Sequence, residues 1–97
     1  MATYITTLKF THHGVQDVGE STKRFAAFKS TAKKLGAKVI NAYWTLGSVD
    51  GILIFEAPDD ETATAAMLHL SKQGNMHTST MRAFNASEFE TIVAKLG

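Results

Sequence analysis

Four short segments of this chain have the composition of β-strands, and the order in which helical segments separate them limits the folds open to it. The strand segments lie at residues 4–10, 37–46, 52–57 and 76–84 and are rich in Thr, Tyr, Ile, Val and Phe. The turn 47–51, with a glycine at each end, joins the second segment to the third and predicts a β-hairpin. The third segment contains Ile-Leu-Ile-Phe in succession and is therefore apolar on both of its faces.

Three helices are predicted by apolar residues spaced three and four apart. The first begins near Ser21 and ends before Gly36, and the second follows Pro58 and ends at Gly74. The third begins after Asn85, which forms a capping-box pattern with the glutamate three residues later. The apolar stripes of the three helices are Phe25, Phe28, Ala32 and Leu35; Ala63, Ala66, Met67 and Leu70; and Phe89, Ile92, Val93 and Leu96.

The resulting order is strand, helix, strand, strand, helix, strand, helix. Its first six elements are the split βαβ pattern of ferredoxin-like folds, which belong to the α+β class. We therefore expect a four-stranded antiparallel sheet with the strand order 4-1-3-2, helices on one face, and an additional C-terminal helix. One domain is expected to cover residues 1–97, because no linker or low-complexity stretch divides the chain.

The composition argues against several classes of function and partner. The chain has no cysteine, which excludes thiol nucleophiles, thiolate metal sites and iron–sulfur clusters. A net charge of +1 does not favour nucleic acid or an anionic membrane as a partner, and the third strand lacks the basic start and stacking aromatics of an RNA-recognition motif. No apolar run approaches the roughly 20 residues of a membrane span, and the N-terminus lacks the features of an export signal. A cytoplasmic location is therefore expected.

Self-association is predicted by the third strand segment. Ile52 and Ile54 point to one face of that strand, and in a ferredoxin-like sheet the helices cover only one face. Leaving both isoleucines in water would expose an apolar patch. We therefore expect a homodimer or a higher homo-oligomer, formed through the sheet face that the helices leave open.

The central part of the chain resembles the GYD-domain family, and the resemblance extends from residue 4 to residue 96. It rests on Tyr-Trp-Thr-Leu-Gly at 43–47, Asp-Gly at 50–51 and Phe-Glu-Ala-Pro-Asp-Asp-Glu-Thr-Ala at 55–63, with Leu-Gly-Ala-Lys-Val at 35–39 before them and Arg-Ala-Phe at 82–84 after them. The family takes its name from a Gly-Tyr-Asp tripeptide, and here that place reads Ser-Val-Asp at 48–50.

This resemblance implies a ferredoxin-like domain of the dimeric α/β-barrel type, without a particular activity or cofactor. Related folds include small monooxygenases, haem-binding proteins and isomerases, but transferring those chemistries would rest on fold analogy alone. The aspartate of the tripeptide is retained and its tyrosine is replaced by Val49. A site lined by that tyrosine would therefore be altered in this chain.

One rim of the predicted sheet collects residues of the types that bind metals. The end of the first strand, the hairpin turn and the start of the fourth strand meet there, which brings His12, His13, Asp50, Asn75 and His77 to one side. Imidazole and carboxylate groups suit zinc, iron or copper, so His12, His13, Asp50 and His77 form a candidate metal site. The alternative is that these are exposed loop residues and that Asp50 bonds to nearby backbone amides as a turn residue.

Polar and aromatic side chains within strands form a second candidate site. Tyr43 and Trp44 lie on the second strand, and Thr80 and Arg82 lie on the fourth, where an arginine can bind a carboxylate or phosphate through two hydrogen bonds. These four residues are the predicted lining of a pocket for a small anionic or aromatic ligand. The alternatives are core packing of Trp44 beneath the helices and an ion pair between Arg82 and an acid such as Glu56.

Positive charge is concentrated in residues 21–49, which contain no acidic residue. This pattern is typical of a solvated helix face, a contact between subunits or a site for an anionic ligand.

No phosphate loop, nucleophile elbow or nucleotide fingerprint is present. Two functions are left open: an oligomeric small-molecule-binding protein, which includes a cofactor-free or metal-assisted enzyme, and a non-enzymatic assembly or regulatory module whose sheet face mediates homo-oligomerisation.

Overall fold

The computed structural model describes all 97 residues of the chain. Every predicted strand and helix is present, and the expected α+β, ferredoxin-like architecture is confirmed. A short helix and a 3₁₀ turn (Val18–Glu20) occur in addition to the predicted elements. In chain order the elements are β1 (Ala2–Phe10), α1 (His12–Gln16), α2 (Ser21–Leu35), β2 (Lys38–Trp44), β3 (Gly51–Ala57), α3 (Asp60–Ser71), β4 (Met76–Ala83) and α4 (Ala86–Ala94).

The sheet is antiparallel, with the strand order β2-β3-β1-β4. This is the predicted order counted from the other edge, so β1 and β3 form the centre and β2 and β4 form the two edges. The register places Tyr4 of β1 between Phe55 of β3 and Arg82 of β4. Residues that share this face therefore run from one edge of the sheet to the other.

The face of the sheet covered by α2 and α3 carries the hydrophobic core. Along β3, Leu53, Phe55 and Ala57 are buried, whereas the residues between them are only half-buried. Tyr4 stacks on Phe55 with ring centroids 5.3 Å apart. Burying a side chain such as Phe55 contributes about 1.5–3 kcal/mol relative to leaving it in water. The other buried apolar residues of this cluster are Phe28, Ala32, Ala37, Ala63, Ala66 and Met67.

The opposite face of the sheet exposes an apolar group without a helix over it. Ile5 lies opposite Ile54 on β3 and opposite Met81 on β4, and Ile52 lies opposite Tyr43 on β2. We call Ile5, Tyr43, Ile52, Ile54 and Met81 the open-face cluster. Tyr43 is 53% exposed and Met81 is 49% exposed. The prediction that the third strand is apolar on both faces is thus confirmed.

Some ends of the predicted helices carry the expected caps, whereas α2 begins after Glu20 without a side-chain cap and α3 ends at Ser71, before Gly74. Gly36 ends α2 with a positive φ of 98°, and Asn85 with Glu88 forms a complete capping box at the start of α4. The carboxylate of Asp59 accepts the backbone N–H of Thr62 at 2.7 Å and begins α3. Hydrogen bonding to Thr62 holds the pKa of the Asp59 carboxyl below its usual range.

Residues 11–16 form a capped helical turn that is not among the elements predicted from the sequence. Thr11 is the N-cap of α1, and its hydroxyl accepts the backbone N–H of Gly14 at 2.9 Å. Gly14 is buried, and a Cβ atom at this position would lie 2.0 Å from the backbone oxygen of Asn75. The glycine is therefore needed for a close approach between two segments.

The outer strand β2 contains a bulge. Val39 lies opposite Phe55 and Asn41 lies opposite Ile54, so Ile40 has no residue opposite it on β3. Such an extra residue bends an edge strand and locally interrupts its pairing.

The C-terminal helix α4 contains no buried residue. Its apolar stripe therefore faces solvent. Phe89 is 57% exposed, Ile92 37%, Val93 46% and Leu96 84%. None of the helices in the structure combines the length and apolarity needed to cross a bilayer.

Candidate functional site

A cavity of about 200 Å³ lies between α2, the end of α3 and the helix-covered face of β2 and β3. Its walls are mainly apolar and include Phe25, Phe28, Trp44 and Leu53. The rings of Phe25 and Trp44 meet edge to face, with centroids 5.9 Å apart and planes at 83°. Trp44 is 48% exposed, so it lies on the predicted face beneath the helices but forms an accessible wall instead of a sealed part of the core.

Asn75 is the polar residue most deeply set in this cavity. It is only 8% exposed, and its side-chain Oδ1 has no hydrogen-bond partner in the protein. The backbone of the same residue is fixed, because its carbonyl accepts the N–H of Thr11 at 3.1 Å and packs against Gly14. A buried acceptor without a donor costs free energy, so this amide is a place where a bound molecule gains an interaction that the protein itself does not supply.

The four predicted metal ligands do not come together. The Asp50 carboxylate accepts the backbone N–H of Phe10 at 2.8 Å, while His13 lies 3.3 Å from Asp17 and His12 pairs with Gln16. No group of three or more histidine and acidic side chains is arranged to hold a metal ion. The predicted juxtaposition is corrected because α1 carries both histidines to its own exposed surface.

His77 and the backbone of Asp50 lie at the same rim of the sheet but make separate contacts. His77 is exposed and lies opposite Lys9 on the open face of the sheet. The backbone N–H of Asp50 bonds to the carbonyl of Leu8 at 2.8 Å. Asp50 therefore ties the hairpin turn to the end of β1, which is a longer-range version of the backbone bonding expected for a turn aspartate.

The four predicted ligand-binding residues divide between two places. Trp44 and Tyr43 belong to the edge strand β2 and line the cavity, although Tyr43 directs its ring to the open face. Thr80 and Arg82 belong to β4 at the other edge and line a separate groove beside α3. The two central strands lie between the two pairs, so a single pocket does not contain all four.

The groove beside α3 is more polar than the cavity. The hydroxyl of Tyr4 donates to Asp60 at 2.5 Å, and the Arg82 guanidinium lies 5.8 Å from the centre of the Tyr4 ring. The hydrogen bond to Asp60 raises the pKa of the Tyr4 phenol above its ordinary value, and burial acts in the same direction. Tyr4 therefore stays a neutral hydrogen-bond donor at physiological pH.

Arg82 interacts with aromatic rings and backbone instead of an acid. Its guanidinium lies 4.5 Å from the centre of the Phe84 ring and donates to the carbonyl of Ala83. The expected pair with Glu56 is not formed, because Glu56 lies opposite Thr3 on the open face whereas Arg82 lies opposite Tyr4 on the covered face.

Three residues of these sites were not predicted from the sequence. Phe25 was assigned to the apolar stripe of a helix, and Tyr4 and Asp60 were assigned to a strand and a helix start. No local signal marks them, because their contacts join parts of the chain that are distant in sequence: Phe25 meets Trp44, and Tyr4 meets Asp60.

The family model described as the GYD domain matches residues 4–93 of this chain. The chain belongs to the GYD-domain family. In this GYD-domain protein the retained aspartate of the family tripeptide is Asp50, whose carboxylate holds the end of β1. Val49 stands in place of the tyrosine and is half-buried, and its carbonyl accepts the hydroxyl of Thr45 at 2.6 Å.

Known proteins that are similar to this GYD-domain protein include a bacterial binding protein and a protein of solved structure. The glutamine synthetase and cystathionine beta-lyase binding protein of Thermus thermophilus is 28% identical over 97 residues, which is 99% of each chain. The crystal structure of FFRP-DM1 superposes with a TM-score of 0.58 and 21% identity, covering 87% of this chain and 100% of that one. The second similarity supports the ferredoxin-like fold and nothing further.

Proposed function

We propose that this GYD-domain protein is a homodimeric protein-binding module that regulates or assembles a metabolic enzyme. The observation that carries the proposal is the open-face cluster, an apolar sheet face that the chain leaves without cover. The similar Thermus protein supports the choice of partner, since its name states that it binds glutamine synthetase and cystathionine beta-lyase. The partner class we propose for this chain is enzymes of those two kinds.

A second copy of the chain is the proposed occupant of the open face. Ile5, Ile52 and Ile54 form a contiguous apolar patch at the centre of the sheet, and Met81 extends it onto β4. Polar groups border this patch, with Lys38 opposite Glu56 near one end. A two-fold axis through the patch would pair isoleucines with isoleucines, which suits a self-complementary interface.

The helix α4 extends the proposed dimer interface. It begins three positions after the last residue of the edge strand β4, and it contains no buried residue. Covering the apolar stripe of α4 and the open-face cluster in one interface would remove both apolar groups from water.

The enzyme partner is proposed to bind the basic face of α2. Lys29, Lys33 and Lys34 are exposed and have no acidic partner, and α2 lies on the side of the sheet away from the open face. This surface therefore stays accessible after dimerisation. An acidic surface on the enzyme would complement it, and attraction between such surfaces speeds association and depends on salt.

Two measurements test the proposal. Analytical ultracentrifugation at micromolar concentration is expected to give twice the 10.5 kDa mass of the chain. Surface-immobilised chain is expected to bind purified glutamine synthetase or cystathionine beta-lyase from the same organism, with an affinity that falls as salt is raised. A monomer in the first experiment, or no binding of either enzyme above an unrelated acidic protein in the second, contradicts the proposal.

A matched pair of charge reversals locates the enzyme surface. Lys33→Glu on α2 is expected to weaken enzyme binding several-fold without changing the mass in solution. Lys72→Glu makes the same change in charge at the end of α3, outside the proposed surface, and is expected to bind nearly as well as the wild type. Equal losses for the two variants would show that only net charge matters.

A further inference from the structure

We propose that the cavity beneath α2 is a binding site for a neutral aromatic molecule of one or two fused rings that donates an N–H hydrogen bond to Asn75. This site is independent of the protein-binding function, because it lies within one chain and on the side of the sheet opposite the open face. The proposal rests on the cavity's size, its walls and one buried acceptor.

The size of the cavity limits the ligand. Its volume is about 200 Å³, and an apolar cavity of about 150 Å³ holds a benzene molecule. One aromatic ring, or a compact fused pair that reaches the mouth of the cavity, fits this space. A sugar nucleotide, a haem or a long acyl chain is too large for it.

The walls of the cavity favour a flat, apolar ligand. Phe25 and Trp44 present an edge-to-face pair of rings, and Phe28 and Leu53 close the inner end as buried side chains. Aromatic ligands gain both apolar burial and favourable ring geometry against such a wall. The partial exposure of Trp44 leaves a mouth through which a ligand can enter.

The polar groups determine the ligand's hydrogen bonding. Asn75 is more than nine-tenths buried and its Oδ1 has no donor. Asp50 also lines the cavity, and only one of its two carboxylate oxygens is bonded to the protein, through the N–H of Phe10. The buried acceptor of Asn75, together with the unbonded oxygen of the half-buried Asp50, favours a ligand that carries N–H groups.

The charges at the cavity favour a neutral ligand. The lining contains one carboxylate, that of Asp50, and one guanidinium, that of Arg24, which donates to the Asp17 carbonyl at 2.9 Å. These two charges are opposite in sign and leave the lining without a net preference for an anion or a cation. The chemical class is thus a neutral N–H heteroarene or arylamine.

Indole and benzofuran are suitable probes, because they have the same shape and differ in a single ring atom. Indole donates an N–H, whereas benzofuran has an oxygen acceptor at that position. The chain has one tryptophan, so its ring N–H gives one signal in a ¹H–¹⁵N NMR spectrum. We expect indole to shift the signals of Trp44, Phe25 and Asn75, and to bind about tenfold more tightly than benzofuran.

Asn75→Leu keeps the shape of the side chain and removes the unpaired acceptor. We expect this variant to fold, to be at least as heat-stable as the wild type, and to bind indole and benzofuran equally. Asn41→Leu is the matched control, because Asn41 is exposed on β2 outside the cavity. It is expected to retain the preference for indole.

Several results would overturn the proposal. They are equal binding of indole and benzofuran by the wild type, signal shifts confined to the groove beside α3, and no shifts at millimolar indole. A crystal structure from indole-containing solution in which Asn75 bonds only to a water molecule would also contradict it. Dimer mass and enzyme binding, measured on the same sample, separate these outcomes from failure of the proposed function.

Discussion

The hydroxyl of Tyr4 donates to the Asp60 carboxylate at 2.5 Å, across 56 positions of sequence. This bond joins the central strand β1 to the first turn of α3. It also raises the pKa of the phenol, because removing the proton would break the bond and place a negative charge beside Asp60 in a buried site. The bond is thus both a contact between layers and a source of pH dependence.

Tyr4→Phe removes the hydrogen bond and retains the ring that stacks on Phe55. We expect the free energy of unfolding at neutral pH to fall by about 1–2 kcal/mol, as measured by urea denaturation. Tyr43→Phe is the control, because the Tyr43 hydroxyl bonds only to the neighbouring side chain of Asn41 and joins no two elements. A larger loss for Tyr43→Phe than for Tyr4→Phe would contradict the assignment.

The same bond predicts how stability changes in alkali. The folded chain holds the Tyr4 proton more tightly than the unfolded chain, whose phenol titrates near the ordinary value of 10.0. The contribution of Tyr4 is therefore complete below pH 10 and is lost as the pH rises above it. From about pH 10 upward the wild type is expected to lose more stability than Tyr4→Phe. Parallel losses in the two proteins would show that Tyr4 is not the cause.

Asp50→Asn distinguishes a structural aspartate from a partner of histidine. The asparagine oxygen can still accept the N–H of Phe10, so we expect little change in stability. Asp50→Ala removes the acceptor and is expected to cost about 1–2 kcal/mol. Because the carboxylate bonds to Phe10 and to no histidine, NMR titration of the four histidines should give the same midpoints in wild type and Asp50→Asn. A shifted midpoint for His12, His13 or His77 would restore the predicted metal or acid–base site.

Gly14→Ala tests the close approach between α1 and the start of β4. The added Cβ would lie 2.0 Å from the backbone oxygen of Asn75, so one of the two segments must move. We expect a loss of about 1–3 kcal/mol in the free energy of unfolding. Gly19→Ala is the matched control, since nothing lies within 4 Å of its added Cβ. Equal effects of the two variants would indicate backbone entropy instead of a clash.

Ile54→Asp tests the role of the open face. A charge at the centre of an apolar interface cannot be paired there. We therefore expect the dissociation constant of the dimer, measured by ultracentrifugation, to rise at least tenfold relative to the wild type. The monomer fold should survive, because Ile54 does not belong to the buried core. Val18→Asp changes an exposed valine outside this face and should leave the dimer intact. Dissociation by Val18→Asp alone would place the interface elsewhere.

The fold could be predicted from this sequence because its local signals agree with one another. The caps at Gly36, Asp59 and Asn85 and the apolar stripes mark the long helices, and the double-sided apolar run marks β3. The helix α1 was missed because five residues are too few to show a period of 3.6, and because Gly14 has the appearance of a breaker. Its real role depends on a contact with Asn75 that no local pattern reveals.

The candidate sites were harder to predict, because sites depend on long-range neighbours. Alternation along the strands indicates which residues share a face, but it does not measure the separation of Trp44 on one edge strand from Arg82 on the other. Asn75 follows a glycine in a turn, where asparagine is common and usually solvated. Its burial arises from the packing of α1 against the turn, so the unpaired acceptor is visible only in three dimensions.

The unpaired residue Ile40 in the bulge of β2 affects how these molecules can stack. An intact edge strand offers a continuous row of backbone donors and acceptors to a strand of another molecule, and such edges seed fibril growth. Here the row is broken between Val39 and Asn41, so an incoming strand would lose its register within a few residues. At the β2 edge of the sheet, the bulge thus lowers the hazard of polymerising into cross-β aggregates.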